Sequence, residues 1–183
     1  MTADSEDDDP RRMQRSAPLL VLMGPAGSGK TVVGRRVAAR LGVDFVDGDD
    51  LHDVVDIEAM SRGVPLDDRR REPWLDRLHA ELAVRREQGV VLACSALRVS
   101  YRRRLERGLR GLRFVALMAN RDVLQGRLAA RRDHFAGPSL LESQLDALEL
   151  SDEVVVVDAD APVDVVAESV VAVVRSESSD PTT

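Results

Sequence analysis

Apolar residues in this chain fall into short unbroken runs, separated by stretches in which they recur every three or four positions. Leu19–Met23, Val90–Cys94, Phe114–Leu117 and Val154–Val157 are apolar throughout. Runs of this length predict strands covered on both faces, as in a parallel sheet. Val43–Asp47 reads as a further short strand. Helical spacing predicts a helix over Lys30–Leu41, stopped by Gly42, and a helical region ending near Gly63. A stronger helix is expected over Pro73–Gln88, because proline suits a first helical turn and Trp74, Leu75, Leu78, Leu82 and Val84 form an apolar face. Further helices are expected around Tyr101–Arg107, over 122–132, from Ser139 to about Leu148 and over Val163–Val174. Ser139-Leu140-Leu141-Glu142 has the S-x-x-E form of a capping box. Strands alternating with helices predict parallel crossovers and a three-layer α/β/α sandwich around a five-stranded parallel sheet.

Composition limits the alternatives. At 183 residues and 44 % hydrophobic, the chain suits one compact domain, expected over residues 17–175. The acidic tail 1–16 and residues 176–183 are too polar to offset the entropy of ordering, so both are expected to be disordered. A net charge of −6 argues against a general nucleic-acid binder. One cysteine, Cys94, excludes an intramolecular disulfide and fits a reducing compartment. No apolar run approaches the roughly 18–20 residues that span a bilayer, and the acidic N-terminus lacks a signal peptide's apolar stretch. The expectation is a cytoplasmic protein without membrane association.

The chemistry begins after the first strand. Gly24-Pro25-Ala26-Gly27-Ser28-Gly29-Lys30-Thr31 matches the phosphate-binding pattern GxxxxGK[ST] at every fixed position. Glycines let successive N–H groups curve into an anion nest, and the following helix aims its N-terminus at the same phosphates. Lys30 is expected to reach the β- and γ-phosphates of a bound nucleotide, and the Thr31 hydroxyl to ligate Mg²⁺. Lys30 is also the only lysine among 26 Lys+Arg. A compact ammonium fits a loop wrapped around phosphates where a broad guanidinium does not. The same scarcity excludes the guanine-reading Asn-Lys-x-Asp of GTPases. The third strand ends Leu92-Ala93-Cys94-Ser95, without the acidic residue that ATPase motors carry there. A small-molecule kinase of the P-loop kinase type is the natural reading.

Asp47-Gly48-Asp49-Asp50-Leu51-His52 follows the second strand, at the carboxyl edge of the sheet, where it should face the phosphate loop. A carboxylate there can orient an acceptor hydroxyl, accept its proton, or position Mg²⁺ through water.

Several segments taken together carry a resemblance. They are Asp47-Gly48-Asp49-x-Leu51-His52, Met60-x-x-Gly63-x-Pro65-Leu66 and Arg71-x-Pro73-Trp74-Leu75, then Cys94-Ser95-Ala96-Leu97 with Tyr101-Arg102. Arg127-x-x-x-Arg131-x-x-His134-Phe135 follows, and finally Ser143-Gln144 with Leu148-Glu149. In this order, from about residue 19 to 175, the chain resembles the gluconokinase family. The resemblance implies ATP-dependent phosphorylation of the 6-hydroxyl of D-gluconate, a core shared with shikimate kinases, a small helical lid at about 122–140, and commonly a homodimer. It implies that Asp49 orients the sugar hydroxyl and that His52, Arg71, Ser95 and Arg98 hold the polyol and its carboxylate. It places Arg127 against the nucleotide and Arg131 on the transferring phosphoryl group. His79, outside these segments, is expected to be structural.

The chain departs from the family pattern on the acceptor side. Asp53 stands where proline is usual, Asp56 and Ala59 where asparagine and lysine are usual, Arg70 where an acidic residue is usual, and Arg98 where lysine is usual. Ala59 removes a positive charge, and Asp56 adds a negative one that would disfavour an anionic acceptor if it faced the pocket. Two other readings therefore stand beside gluconate phosphorylation: a P-loop kinase for another small sugar acid or polyol, and a nucleotide-binding regulatory protein without turnover.

Overall fold

A computed structural model describes residues 17–62, 64, 66–130 and 138–176. The strands are β1 (Leu19–Met23), β2 (Asp44–Asp47), β3 (Val90–Ala93), β4 (Leu112–Met118) and β5 (Val154–Asp158). They form one sheet in the order β2-β3-β1-β4-β5, every pair parallel. The described residues also form seven α-helices: α1 (Lys30–Leu41), α2 (Val54–Ser61), α3 (Asp68–Val84), α4 (Val99–Glu106), α5 (Arg121–Ala129), α6 (Pro138–Asp146) and α7 (Val163–Ser176). The three-layer α/β/α sandwich read from the sequence is the fold found.

The period-two geometry of β1 divides the core. Leu19, Val21 and Met23 face Trp74, Leu75, Leu78 and Leu82 of α3 and Tyr101 and Leu105 of α4. Leu20 and Leu22 face Val33 and Val37 of α1 and Val166, Val170 and Val171 of α7. A smaller cluster joins Leu124 and Leu128 of α5 to Leu141 of α6, with Ala26 of the phosphate loop packed against it.

Several boundaries differ from the sequence reading. The third helix starts at Asp68, not Pro73, because Asp67 caps it: its carboxylate accepts the Arg70 N–H at 2.8 Å. Pro73 lies within the helix, which ends at Val84 rather than Gln88. Val84 is 76 % exposed and is not part of the apolar face. Helix α6 begins at Pro138, so Ser139 falls in its first turn and is not its cap. Ser176 completes α7 rather than opening a tail. The remaining tail positions, with Gly63, Pro65, Arg131, His134 and Phe135, lie outside the described residues.

Candidate active site

The phosphate loop leaves the carboxyl end of β1 and closes on the first turn of α1. Two of its glycines are sterically required. Gly24 (φ 142°) would place a Cβ 2.5 Å from the Leu117 carbonyl oxygen, and Gly27 (φ 84°) would place one 2.8 Å from that of Leu124. The loop is thus pressed against β4 and α5. Lys30 folds over its mouth, donating from Nζ to the carbonyls of Gly24 (2.9 Å) and Pro25 (3.0 Å). The Ser28 hydroxyl is buried without a hydrogen-bond partner among the described residues. Ala26 donates its N–H to Gln144 Oε1 at 2.6 Å.

The Thr31 hydroxyl donates to Asp47 Oδ2 at 2.9 Å. This bond joins the phosphate loop to the turn after β2 across the carboxyl end of β3, which lies between β1 and β2 in the sheet. Asp47 also caps the 3-10 turn Gly48–Leu51, accepting the Asp49 N–H at 3.2 Å. Its position next to Thr31 was not recoverable from spacing alone, because 16 residues separate the two. The Asp49 carboxylate is exposed on the same turn.

His52 stacks on Trp74, with ring centroids 4.5 Å apart and planes 7° from parallel. Trp74 in turn donates from Nε1 to the Gly48 carbonyl at 2.7 Å, so the indole locks the turn to α3. Arg77 adds a second tie, to the Leu51 carbonyl at 2.7 Å. Burial lowers the His52 pKa from 6.5, against the opposing charges of Asp49 and Asp56. His52 is therefore a neutral imidazole near pH 7, and its Nδ1 is buried without a partner among the described residues. His79, by contrast, is partly buried and donates from Nδ1 to the Leu105 carbonyl of α4 at 2.9 Å.

The expected acceptor cations separate into two kinds. Arg98 is tied to Asp68 (NH1 to Oδ2, 3.0 Å). Arg71 bonds the Leu66 carbonyl through Nε (3.0 Å) and forms no ion pair among the described residues. Both guanidiniums lie 5.9 Å from the ring of Tyr101, whose hydroxyl donates to Asp68. Burial, then that hydrogen bond, pushes the Tyr101 pKa up to about 12, so it stays a donor. Ser95 is half-buried in the loop after β3, beside the fully buried Cys94 thiol, whose pKa burial raises to about 12. Such a thiol is inert. Arg127, on α5, donates to the Ala159 carbonyl at 2.8 Å.

Two of the charge departures on the acceptor side, Asp56 and Arg70, are partners. Asp56 is 4 % exposed, and its Oδ1 accepts from Arg70 NH2 at 2.7 Å. The added negative charge does not confront the acceptor alone; it is neutralised by the added positive one.

Residues 19–151 match the model of a family described as AAA domain. The thermoresistant gluconokinase of Escherichia coli strain K12 is 41 % identical over 163 residues, covering 86 % of this chain and 93 % of that protein. The chain belongs to the gluconokinase family. The thermosensitive gluconokinase of the same organism is 42 % identical over 132 residues, 70 % of each chain. A crystal structure of a gluconokinase from Sinorhizobium meliloti 1021 superposes with a TM-score of 0.81 at 38 % identity, covering 90 % of this chain and 95 % of that one. No helix among the described residues is long and apolar enough to cross a membrane.

Proposed function

We propose that this protein is an ATP-dependent kinase that phosphorylates the 6-hydroxyl of D-gluconate, giving 6-phospho-D-gluconate and ADP. The observation that carries the reading is the Thr31–Asp47 contact, which sets an intact phosphate loop against a carboxylate-bearing turn in a chain of this family. The acceptor oxygen attacks the γ-phosphorus, the bond from that phosphorus to the β–γ bridging oxygen breaks, and ADP leaves with the electron pair. Asp49 orients the hydroxyl and takes its proton as transfer proceeds. Loop N–H groups and Lys30 hold the β- and γ-phosphates, and Lys30 moves from the Gly24 and Pro25 carbonyls to do so. Arg127 lies on the nucleotide side, with Arg131 carried over by resemblance to the transferring group.

Thr31 Oγ1 and Asp47 Oδ2, 2.9 Å apart, are hard oxygen donors of the kind that holds Mg²⁺ directly or through water. When bound, Mg²⁺ would neutralise charge developing on the phosphate oxygens. Arg71, with no carboxylate partner among the described residues, is the strongest candidate to grip the gluconate carboxylate bidentately. His52, Ser95 and Arg98 complete the acceptor side. A cytoplasmic setting and a homodimer follow the family resemblance.

An ADP-release assay over gluconate, other sugar acids, neutral polyols and shikimate tests the reading. Turnover is expected to be highest with gluconate. Robust turnover with another acceptor only would reassign the substrate, and nucleotide binding without turnover on any would overturn kinase function.

A further inference from the structure

Helix α6 and the turn after it touch both halves of the site, through Gln144 and Glu149. Neither has a part in the phosphoryl transfer described above. Gln144 Oε1 takes the N–H of Ala26 in the phosphate loop, across 118 residues of sequence. The Ala26 methyl packs on Leu124, Leu128 and Leu141, and the close approach of Gly27 to Leu124 leaves no slack between loop and α5. The loop is therefore docked on α5 and α6 by one polar and several apolar contacts.

Glu149 holds the other half. Its Oε2 accepts the Val99 N–H at 2.7 Å, and its own N–H donates to the Leu97 carbonyl at 2.9 Å. Arg98 occupies the cap position of α4 but offers no side-chain cap, so the Glu149 carboxylate serves that helix terminus from a distant segment. The Glu149 carbonyl accepts from Arg102 NH2 at 2.8 Å. Arg102 is 1 % exposed, and its NH1 donates to the carbonyls of Ala96 and Leu97, each at 3.2 Å. Ala96 has φ 38°, making it the one non-glycine residue in the left-handed region among those described. A strained residue persists where its surroundings over-determine it. Here Arg102 and Glu149 do so, between Ser95 and Arg98 on the acceptor side.

The link between the two contacts is short and ordered. Ala147 N–H bonds the Ser143 carbonyl at 3.1 Å and Leu148 N–H the Leu145 carbonyl at 3.3 Å, so hydrogen-bonded turns continue from Gln144 almost to Glu149. We propose that Gln144 and Glu149 are positioning residues that couple the phosphate loop to the Ser95–Arg98 loop through α6. Occupancy of the nucleotide site then sets the geometry that the acceptor meets. The proposal rests on the gluconate-kinase reading above.

The test is gluconate affinity, by calorimetry, with and without the non-hydrolysable β,γ-imido analogue of ATP. The ratio of the two affinities is the coupling, and it must be the same when nucleotide affinity is measured with and without gluconate. In the wild type it is expected to be about fivefold or more. Gln144→Ala and Glu149→Ala should each bring it close to one, while Glu149→Gln, which keeps an acceptor for Val99, should preserve it. A purely local support predicts something else: Gln144→Ala would weaken nucleotide alone, Glu149→Ala would weaken gluconate alone, and the ratio would stand. That result, or a wild-type ratio of one, overturns the coupling. Gln144 is partly exposed and contributes one hydrogen bond, so Gln144→Ala alone decides the matter if Glu149→Ala fails to fold. Wild-type turnover of gluconate is the separate control. Its absence removes the acceptor reading and the coupling with it, whereas turnover with an unchanged ratio in Gln144→Ala removes the coupling only.

Discussion

Between Gly24 and Thr31 the groups that would meet the nucleotide are mostly main-chain N–H groups, held by contact with Leu117, Leu124 and Leu128. Between Asp49 and Arg98 the groups that would meet the acceptor are side chains on the 3-10 turn, on α3 and in the loop between β3 and α4. Beside them, α2 points Val54, Val55 and Ile57 to solvent and buries Asp56. A site made of backbone depends on the conformation of a whole loop, so nearly every position is constrained together. A site made of side chains can exchange charges in pairs, provided each buried charge keeps a partner. The Asp56–Arg70 bond is such a pair, a buried carboxylate held by a partly exposed guanidinium.

The comparison breaks most readily at Asp49. Asp49→Asn keeps the size of the group and removes its basicity, and turnover should fall by about 10²–10⁴ with ATP affinity unchanged. Steady-state kinetics with calorimetric ATP binding measures both. Turnover close to wild type would transfer the role to Asp47, which contacts the same turn and Thr31. On the nucleotide side, Lys30→Arg retains the charge and tests space alone. Lys30 Nζ sits within 3.0 Å of two loop carbonyls, where a planar guanidinium does not fit. Loss of about 10²–10³ in kcat is expected. A loop that accepted arginine would erase the distinction between the two sides.

A smaller effect tests the charge exchange. Arg70→Asp leaves the buried Asp56 carboxylate unpaired beside a second negative charge. Arg70 is itself partly exposed, so the expected loss of stability is about 1–3 kcal/mol. That corresponds to roughly 2–4 °C in Tm per kcal/mol. Asp56→Asn in the same background should recover most of the loss, while ATP kinetics stay unchanged throughout. Additive effects in this double-mutant cycle would mean that the two residues are not coupled.

The two sides also differed in how far they could be read before the structure was known. The phosphate loop, the strands and their parallel direction follow from local rules: glycines at fixed spacing, unbroken apolar runs, strand–helix alternation. The start of α3 did not, because Asp68–Glu72 carries no apolar residue and its helicity depends on the Asp67 cap and on docking of the turns that follow. Asp56 and Arg70 were visible only as two unexplained charges, since their pairing is a fact of interhelical packing 14 residues apart. Gln144 and Glu149 were visible as motif residues without a role, because their partners lie 118 and 50 residues away.

The charge of His52 decides how the acceptor side meets an anion. Burial holds its pKa below 6.5, whereas the unfolded chain titrates near 6.5. Between those two values the unfolded state binds more protons, so stability rises with pH through that window and is lost on acidification below 6.5. Trp74 is the only tryptophan in the chain and stacks directly on His52, which makes its fluorescence a local reporter. A protonated imidazole quenches an adjacent indole more than a neutral one, so emission should fall on acidification with its midpoint below 6.5. His52→Asn should flatten the profile. A midpoint above 6.5 would mean that Asp49 and Asp56, aided by attraction between the imidazolium and the indole face, outweigh burial. His52 would then meet the acceptor as a cation instead of a neutral hydrogen-bonding ring, joining Arg71 in attracting its carboxylate, and the acceptor side would carry one more charge than its arginines supply.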